Sequence, residues 1–140
     1  MMRKLYFAAT TYMVLGLVSG MFSRYYLEQM HFDGESQLNL LHFHILVLGM
    51  VMMLVWLALE ACMKLSRNKK WFTLAFWHYN AGVALTLLGM VLIGVQQAVG
   101  AKEVSGMLAG ISGLGHLILT VGFGMFFYVL YKALPKSLDN

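Results

Sequence analysis

This sequence predicts an all-α fold, an integral membrane bundle of four helices, and three observations carry that prediction. Hydrophobic residues make up 60% of the 140 and charged residues only 11%, a balance far too apolar for a water-soluble domain of that size. The apolar residues fall into four runs, about residues 5–27, 38–63, 71–95 and 107–131, and each exceeds the ~20 residues that a helix needs to cross ~30 Å of hydrocarbon. Nearly all the cations sit outside those runs, at the termini or in the connections. Because the runs and their connections take up almost all of residues 1–140, a single domain is expected, with its chemistry inside the bundle or at its ends.

The formal charge of +4 reads as topology. Arg3, Lys4, Lys64, Arg67, Lys69, Lys70, Lys132 and Lys136 fall at the two termini and in the second connection, whereas Arg24 and Lys102 fall at the other two connections. Eight cations against two is a positive-inside asymmetry, which predicts an N-in, C-in chain in a membrane such as the bacterial cytoplasmic membrane. Glu28, Asp33, Glu35 and Glu103 belong to the opposite, outer side. A basic balance explained in this way gives no support to a nucleic-acid partner. The lone Cys62 cannot form an internal disulfide.

The first run follows Met1-Met2-Arg3-Lys4, as the core of a signal peptide would, but it is long and no small-x-small cleavage site follows it, so a retained first helix is expected. It ends in Arg24-Tyr25-Tyr26, amphipathic side chains suited to the outer interface. An outer loop with His31 and Asp33-Gly34 leads to Ser36, the expected cap of the second helix. That helix returns to the cationic cluster at residues 64–70, Trp71 opens the third, and the third ends near Gln96-Gln97. The fourth comes back to Lys132 and Pro135.

Gly16-x-x-x-Gly20 and Gly106-x-x-x-Gly110, with Gly113, Gly115, Gly122 and Gly124, mark the first and fourth helices as packing faces, since small residues are the usual means of helix association in lipid. The same surfaces would let a flat macrocycle lie against a helix. The twelve methionines read as packing. Glu60 reads as a side chain that snorkels to the inner interface, with a proton carrier as the other reading.

Four histidines lie within the runs: His42 and His44 on the second helix, His78 on the third and His116 on the fourth. An ionisable residue at membrane depth generally faces the interior with a partner. By the helical rise of ~1.5 Å per residue, His42, His44 and His116 share the outer half, with His116 about one turn deeper, and His78 belongs to the inner half. His42 and His44 point ~200° apart and so serve different sites, as in a helix that separates two cofactors. Haem iron needs one or two such imidazoles and an apolar slot. Arg24 stands at a height suited to haem propionates, with interfacial anchoring as the plainer role. The plainer account of the histidines is hydrogen bonding to backbone or to Asn39, Asn80, Thr86 or Thr120.

The stretch Leu41-His42-Phe43-His44-Ile45-Leu46-Val47-Leu48-Gly49 resembles the His-Phe-His helix of haem-copper oxidase subunit I, the family of cytochrome c oxidases and nitric oxide reductases. Lys4-Leu5-Tyr6, Gly16, Gly20, Arg24 and Leu27 resemble the first helix of the same subunit. The resemblance covers about the first 60 residues, while in length the chain is similar to short four-helix bacterial membrane proteins of unknown function. It implies that His42 and His44 ligate two haems on opposite sides of their helix, and that Arg24 lies close to a haem. It also implies an assembly, because the family's subunit has twelve helices in three arcs of four, and three copies of this chain give the same count. The family's copper site needs a His-Pro-Glu-x-Tyr-like sequence and a later His-His pair. This chain has neither, so full oxygen reduction is not expected.

The expected function is therefore a membrane b-type haem protein, carrying haem b or another haem type on His42 and His44, with His116 as a further cofactor-binding candidate. Its role would be electron transfer, gas or haem sensing, or haem handling, in a homotrimer. Two other readings stand beside it: a reductase for oxygen or nitric oxide with a non-haem metal near His116 and His78, and a non-catalytic assembly or transport protein whose histidines relay protons. The topology is open to a direct check. Reporter fusions at Asn140 and near Lys102 are expected to report inside and outside respectively, and a periplasm-active reporter at Asn140 overturns the N-in, C-in assignment.

Overall fold

The computed structural model describes residues 1–101, 103 and 105–134; Lys102, Pro135 and Lys136, invoked above, lie outside the described residues. Four helices are long and apolar enough to cross a membrane: α1 (Met2–Gln29), α2 (Gln37–Met63), α3 (Lys69–Ala98) and α4 (Gly106–Ala133). Each contains the corresponding sequence run and extends past it by a few residues. Side chains such as Lys69, Lys70 and Gln97 have apolar stems that continue a helix beyond the hydrocarbon while their polar heads reach the interface.

The helix ends follow local chemistry. Ser36 is extended, and its Oγ accepts from the Leu38 N–H at 3.2 Å, so it caps α2 as its sequence position implies. The same hydroxyl donates to the Gly94 carbonyl at 3.1 Å and ties the start of α2 to α3. At the other end of α2, Lys64 turns the chain through the left-handed region (φ 53°, ψ 51°) into a short 3-10 turn, Leu65–Asn68. Glu60 is buried there, and its Oε2 accepts from the Ser66 N–H at 2.8 Å. The snorkelling expected of Glu60 is thus corrected: its carboxylate is a cap for the tight loop, because a backbone donor two residues past the turn is closer than the interface.

The helices meet through glycine. Along α3 and α4, a Cβ at Gly89 would lie 2.9 Å from Ser112 Cβ, one at Gly115 2.6 Å from the Thr86 nitrogen, and one at Gly122 2.7 Å from Tyr79 Cα. Gly82 meets the Leu119 backbone in the same way. Between α1 and α2, Gly16 receives Leu46 and Gly20 receives His42, whereas Gly49 lies against the Tyr12 ring. The expectation for α1 therefore holds. For α4 it holds in part: the packing face runs through Gly115 and Gly122, which lie seven residues apart and so on one side of the helix, whereas an added Cβ at Gly106, Gly110, Gly113 or Gly124 would meet nothing within 4 Å.

Two apolar clusters fill the interior. Toward the end that carries the N-terminus, called here the basic end, Leu5, Met53, Trp56, Phe72, Phe126 and Val129 bring all four helices together, with Trp56 stacked on Phe126 at 4.0 Å between centroids and 5° between planes. Toward the opposite, acidic end, Leu27, Leu38, Leu41, Ile45, Met90 and Ala98 come from α1, α2 and α3 alone. The bundle is closed at one end and open beside α4 at the other.

Between the clusters, α2 widens into a π-helical segment at Ile45–Val51, immediately after His44. Backbone groups freed by a wide turn need partners in lipid, where an unmet one costs several kcal/mol. Tyr79 Oη donates to the Leu48 carbonyl at 2.8 Å, Tyr12 Oη donates to Asn80 Oδ1 at 2.8 Å, and Asn80 Nδ2 donates to the Phe76 carbonyl at 2.7 Å. These bonds link α1, α2 and α3 at mid-depth. Asn80, offered above as a histidine partner, is used here instead.

The glycine contacts generate a test. Gly115→Leu or Gly122→Leu is expected to cost about 3 kcal/mol or more, since added carbon would overlap backbone; Gly124→Leu, facing open space, is expected to leave the thermal unfolding midpoint in detergent unchanged. Equal losses in all three variants would refute the assigned packing face.

Candidate functional site

The His-x-His pair lies on the regular α-helical part of α2, Gln37–His44, before the π segment begins. Leu38 and Leu41 are buried and fix the rotation of this turn. His42, one position beyond Leu41, is thereby turned toward α1, where a Cβ at Gly20 would meet its Cβ at 3.4 Å. Any larger residue at position 20 would compete with the imidazole for the same space.

A cavity of about 430 Å³ opens between the acidic ends of α1 and α2 under the loop that joins them. His42, Arg24, Ser23, Asn39, Phe32 and Asp33 are among its lining residues. Ser23 is 3% exposed, and its Oγ has no hydrogen-bond partner. A buried hydroxyl without a partner is uncommon in a native protein, and an unfilled ligand position is one of its ordinary explanations. Gly16, Gly20, Ser23 and Leu27 follow the i, i+4, i+7, i+11 spacing of one helix face, so Ser23 was legible as a cavity residue in the sequence, although its apolar neighbours drew no notice to it.

The other candidates fall elsewhere. His44 is half-buried, is not part of the cavity wall, and donates from Nδ1 to the Leu40 carbonyl at 3.0 Å. His78 does the same to Leu74 at 3.0 Å and His116 to Ser112 at 2.8 Å. A carbonyl only accepts, so Nδ1 must carry the proton in each bond, and in the neutral ring Nε2 keeps its lone pair. That tautomer is the one a metal-ligating histidine with a carbonyl behind it adopts. The plainer account, hydrogen bonding to backbone, is therefore met at three positions, in a form that leaves one ring nitrogen of each free to ligate.

Heights follow from the contacts with α3. Leu38 lies against Gly94 and Gly115 against Thr86, which puts His116 about one turn deeper than His42. Azimuth separates them, since His116 is exposed on α4 and does not line the cavity. His78 lies opposite Gly122, six residues or about 9 Å along α4 from His116, so the two do not share a metal-sized site. Among the described residues no group of three His, Cys, Asp or Glu is placed to hold a metal ion. His31 is exposed in the loop with φ 49°.

The residues of the cavity fit a haem by their chemistry: an imidazole as axial ligand, a guanidinium for a carboxylate, a glycine opposite the imidazole, and an unpartnered hydroxyl. The structure thus brings His42 and Arg24 together and sets His44 and His116 on two other surfaces. No curated protein and no solved structure matches the chain. The profile of one family, described as a protein of unknown function (DUF2871), matches residues 2–133, nearly the full chain, and the protein belongs to that family.

Proposed function

We propose that the protein is a membrane b-type haem protein, in which His42 would hold the haem iron within the α1–α2 cavity and Arg24 would pair with a carboxylate of the group. The observation that carries this reading is the cavity itself, where a half-buried imidazole, a guanidinium and a partnerless buried hydroxyl converge on about 430 Å³. The resemblance of residues 41–49 to the His-Phe-His helix of the oxidases supports it independently. Bound haem supplies a one-electron iron couple and, where an axial position stays open, a site for a diatomic gas. The chain's own contribution is to hold the His42 ring beside Gly20, to neutralise carboxylate charge with Arg24, and to exclude water with Leu27, Leu38 and Phe32.

The proposed setting is a cytoplasmic membrane with both termini inside, as the eight-to-two cation asymmetry favours. The proposed working unit is a cyclic homotrimer. An ionisable side chain facing lipid is costly. His44 and His116 nevertheless lie on surfaces that no helix of the same chain covers completely, and Gly106, Gly110 and Gly113 beside His116 present a smooth, unpartnered face. A head-to-tail neighbour would cover these surfaces and give His44 or His116 a second site, with haem or a haem edge as partner. A second reading, histidines relaying protons in a transport or assembly protein, draws on the three depths of His44, His116 and His78. A reductase with a non-haem metal at His116 has the least support, because no three-ligand group stands there among the described residues.

Two measurements decide between these. The purified protein is expected to show a Soret band and a sharp α-band on reduction; His42→Ala should lower haem content or convert low-spin to high-spin haem, and His31→Ala should do neither. A colourless preparation that stays colourless on haem titration, or a His42→Ala protein with the parent spectrum and stoichiometry, sinks the haem assignment. Native mass spectrometry in mild detergent is expected to give a trimer, with His44→Ala changing the spectrum of the trimer. A monomer that keeps a full complement of six-coordinate haem would exclude shared ligation.

A further inference from the structure

The basic end of the bundle carries a second cavity, unrelated to the histidines. It measures about 580 Å³ and lies where the end of α2, the 3-10 turn and the last turns of α4 meet. Lys64, Arg67 and Lys132 line it together with the apolar Met63, Val129 and Leu134, and among the described residues no carboxylate lines it. Glu60, four residues before Lys64, is buried and already accepts from the Ser66 N–H. Three cations are thus gathered around one concavity with no counter-charge among the described residues of its wall. The left-handed backbone of Lys64 (φ 53°), uncommon for a residue with a Cβ, is what folds the turn back beside α4.

The geometry points to a binding site for an anionic phospholipid, whose phosphodiester would be held by Lys64, Arg67 and Lys132 while its glycerol and first acyl carbons rest on Met63, Val129 and Leu134. Charge alone would accept any phosphate. The apolar half of the wall selects an amphiphile, and the position at the end of helices long enough to span a bilayer is the depth of a headgroup. Arg67 can grip two phosphate oxygens at once, and the lysines act as point charges. The positive-inside distribution accounts for the presence of cations at this end, but not for their convergence on one cavity.

Native mass spectrometry of the full chain in detergent separates a seated lipid from general attraction, because a micelle of neutral detergent has no anionic surface for scattered cations to exploit. After delipidation and titration with phosphatidylglycerol or phosphatidylcholine, the parent is expected to retain one phosphatidylglycerol in clear preference to phosphatidylcholine. The triple variant Lys64→Gln/Arg67→Gln/Lys132→Gln should lose retention by about fivefold per charge removed. The equal-charge control Arg3→Gln/Lys4→Gln/Lys70→Gln, outside the cavity, should retain it, and both variants should keep the parent's thermal midpoint. Equal retention of the two lipids, or equal losses in the two triple variants, overturns the site. If millimolar inorganic phosphate displaces phosphatidylglycerol completely, the cavity holds a free anion and the lipid assignment is overturned.

Discussion

Close approach of backbones at glycine is the constraint on which the rest of this fold depends. In lipid the apolar faces of helices gain little by leaving a solvent as apolar as themselves, so association rests on contact distance. Where Gly115 meets Thr86 and Gly122 meets Tyr79, α3 and α4 touch backbone to backbone, and this brings Phe126 to within stacking distance of Trp56 on α2. The same device at Gly16 and Gly20 brings α1 onto α2 and leaves room beside the chain for the His42 ring. Removing the glycines would part the pairs, and neither the aromatic cluster nor the α1–α2 cavity would persist.

A second constraint follows from the first. Polar groups between helices this close need internal partners, and three bonds at mid-depth supply some of them across three helices: Tyr12 to Asn80, Asn80 to the Phe76 carbonyl, Tyr79 to the Leu48 carbonyl. The π segment at Ile45–Val51 adjoins that network and begins one residue after His44. A regular turn carries His42 and His44 at their ~200° separation, and the wide segment that follows shifts the helical phase of the residues after it, Trp56 among them. Wide turns of this kind often accompany functional positions.

Much of this was legible from the chain alone, for identifiable reasons. Span positions are set by where apolar runs meet charge, and charge is unambiguous, so all four helices were found and their ends differ by only a few residues. The cap at Ser36 is local and was legible too. What needed the structure depends on partners distant in sequence. The Tyr79 bond that serves the π segment joins residues 31 apart, and Gly82 and Gly89 matter only because Leu119 and Ser112 stand opposite. Glu60 was misread since its partner, the Ser66 N–H, exists only after Lys64 has turned the chain. The same logic divides the candidate site. Helical rise gives height without azimuth, so the relative heights of His42 and His116 were legible, yet only the structure separates their surfaces and sets Ser23 and Arg24 beside His42.

The two ends of the bundle differ in a way that bears on the unit that works. At the basic end four helices share one aromatic cluster. At the acidic end only three helices share the core, an added Cβ at Gly106, Gly110 or Gly113 would meet nothing within 4 Å, and His116 stands exposed about 15 Å from the start of its helix. Its Nδ1 donates to the Ser112 carbonyl, which leaves Nε2 as the ring nitrogen without a hydrogen bond among the described residues. His44, half-buried on α2, likewise donates from Nδ1 to the Leu40 carbonyl. An imidazole lone pair held toward lipid is stable only if something covers it, and a second copy presenting its own cavity edge at the same height would do so without any new kind of contact. The face that would be covered is the one where glycine already permits a backbone to approach.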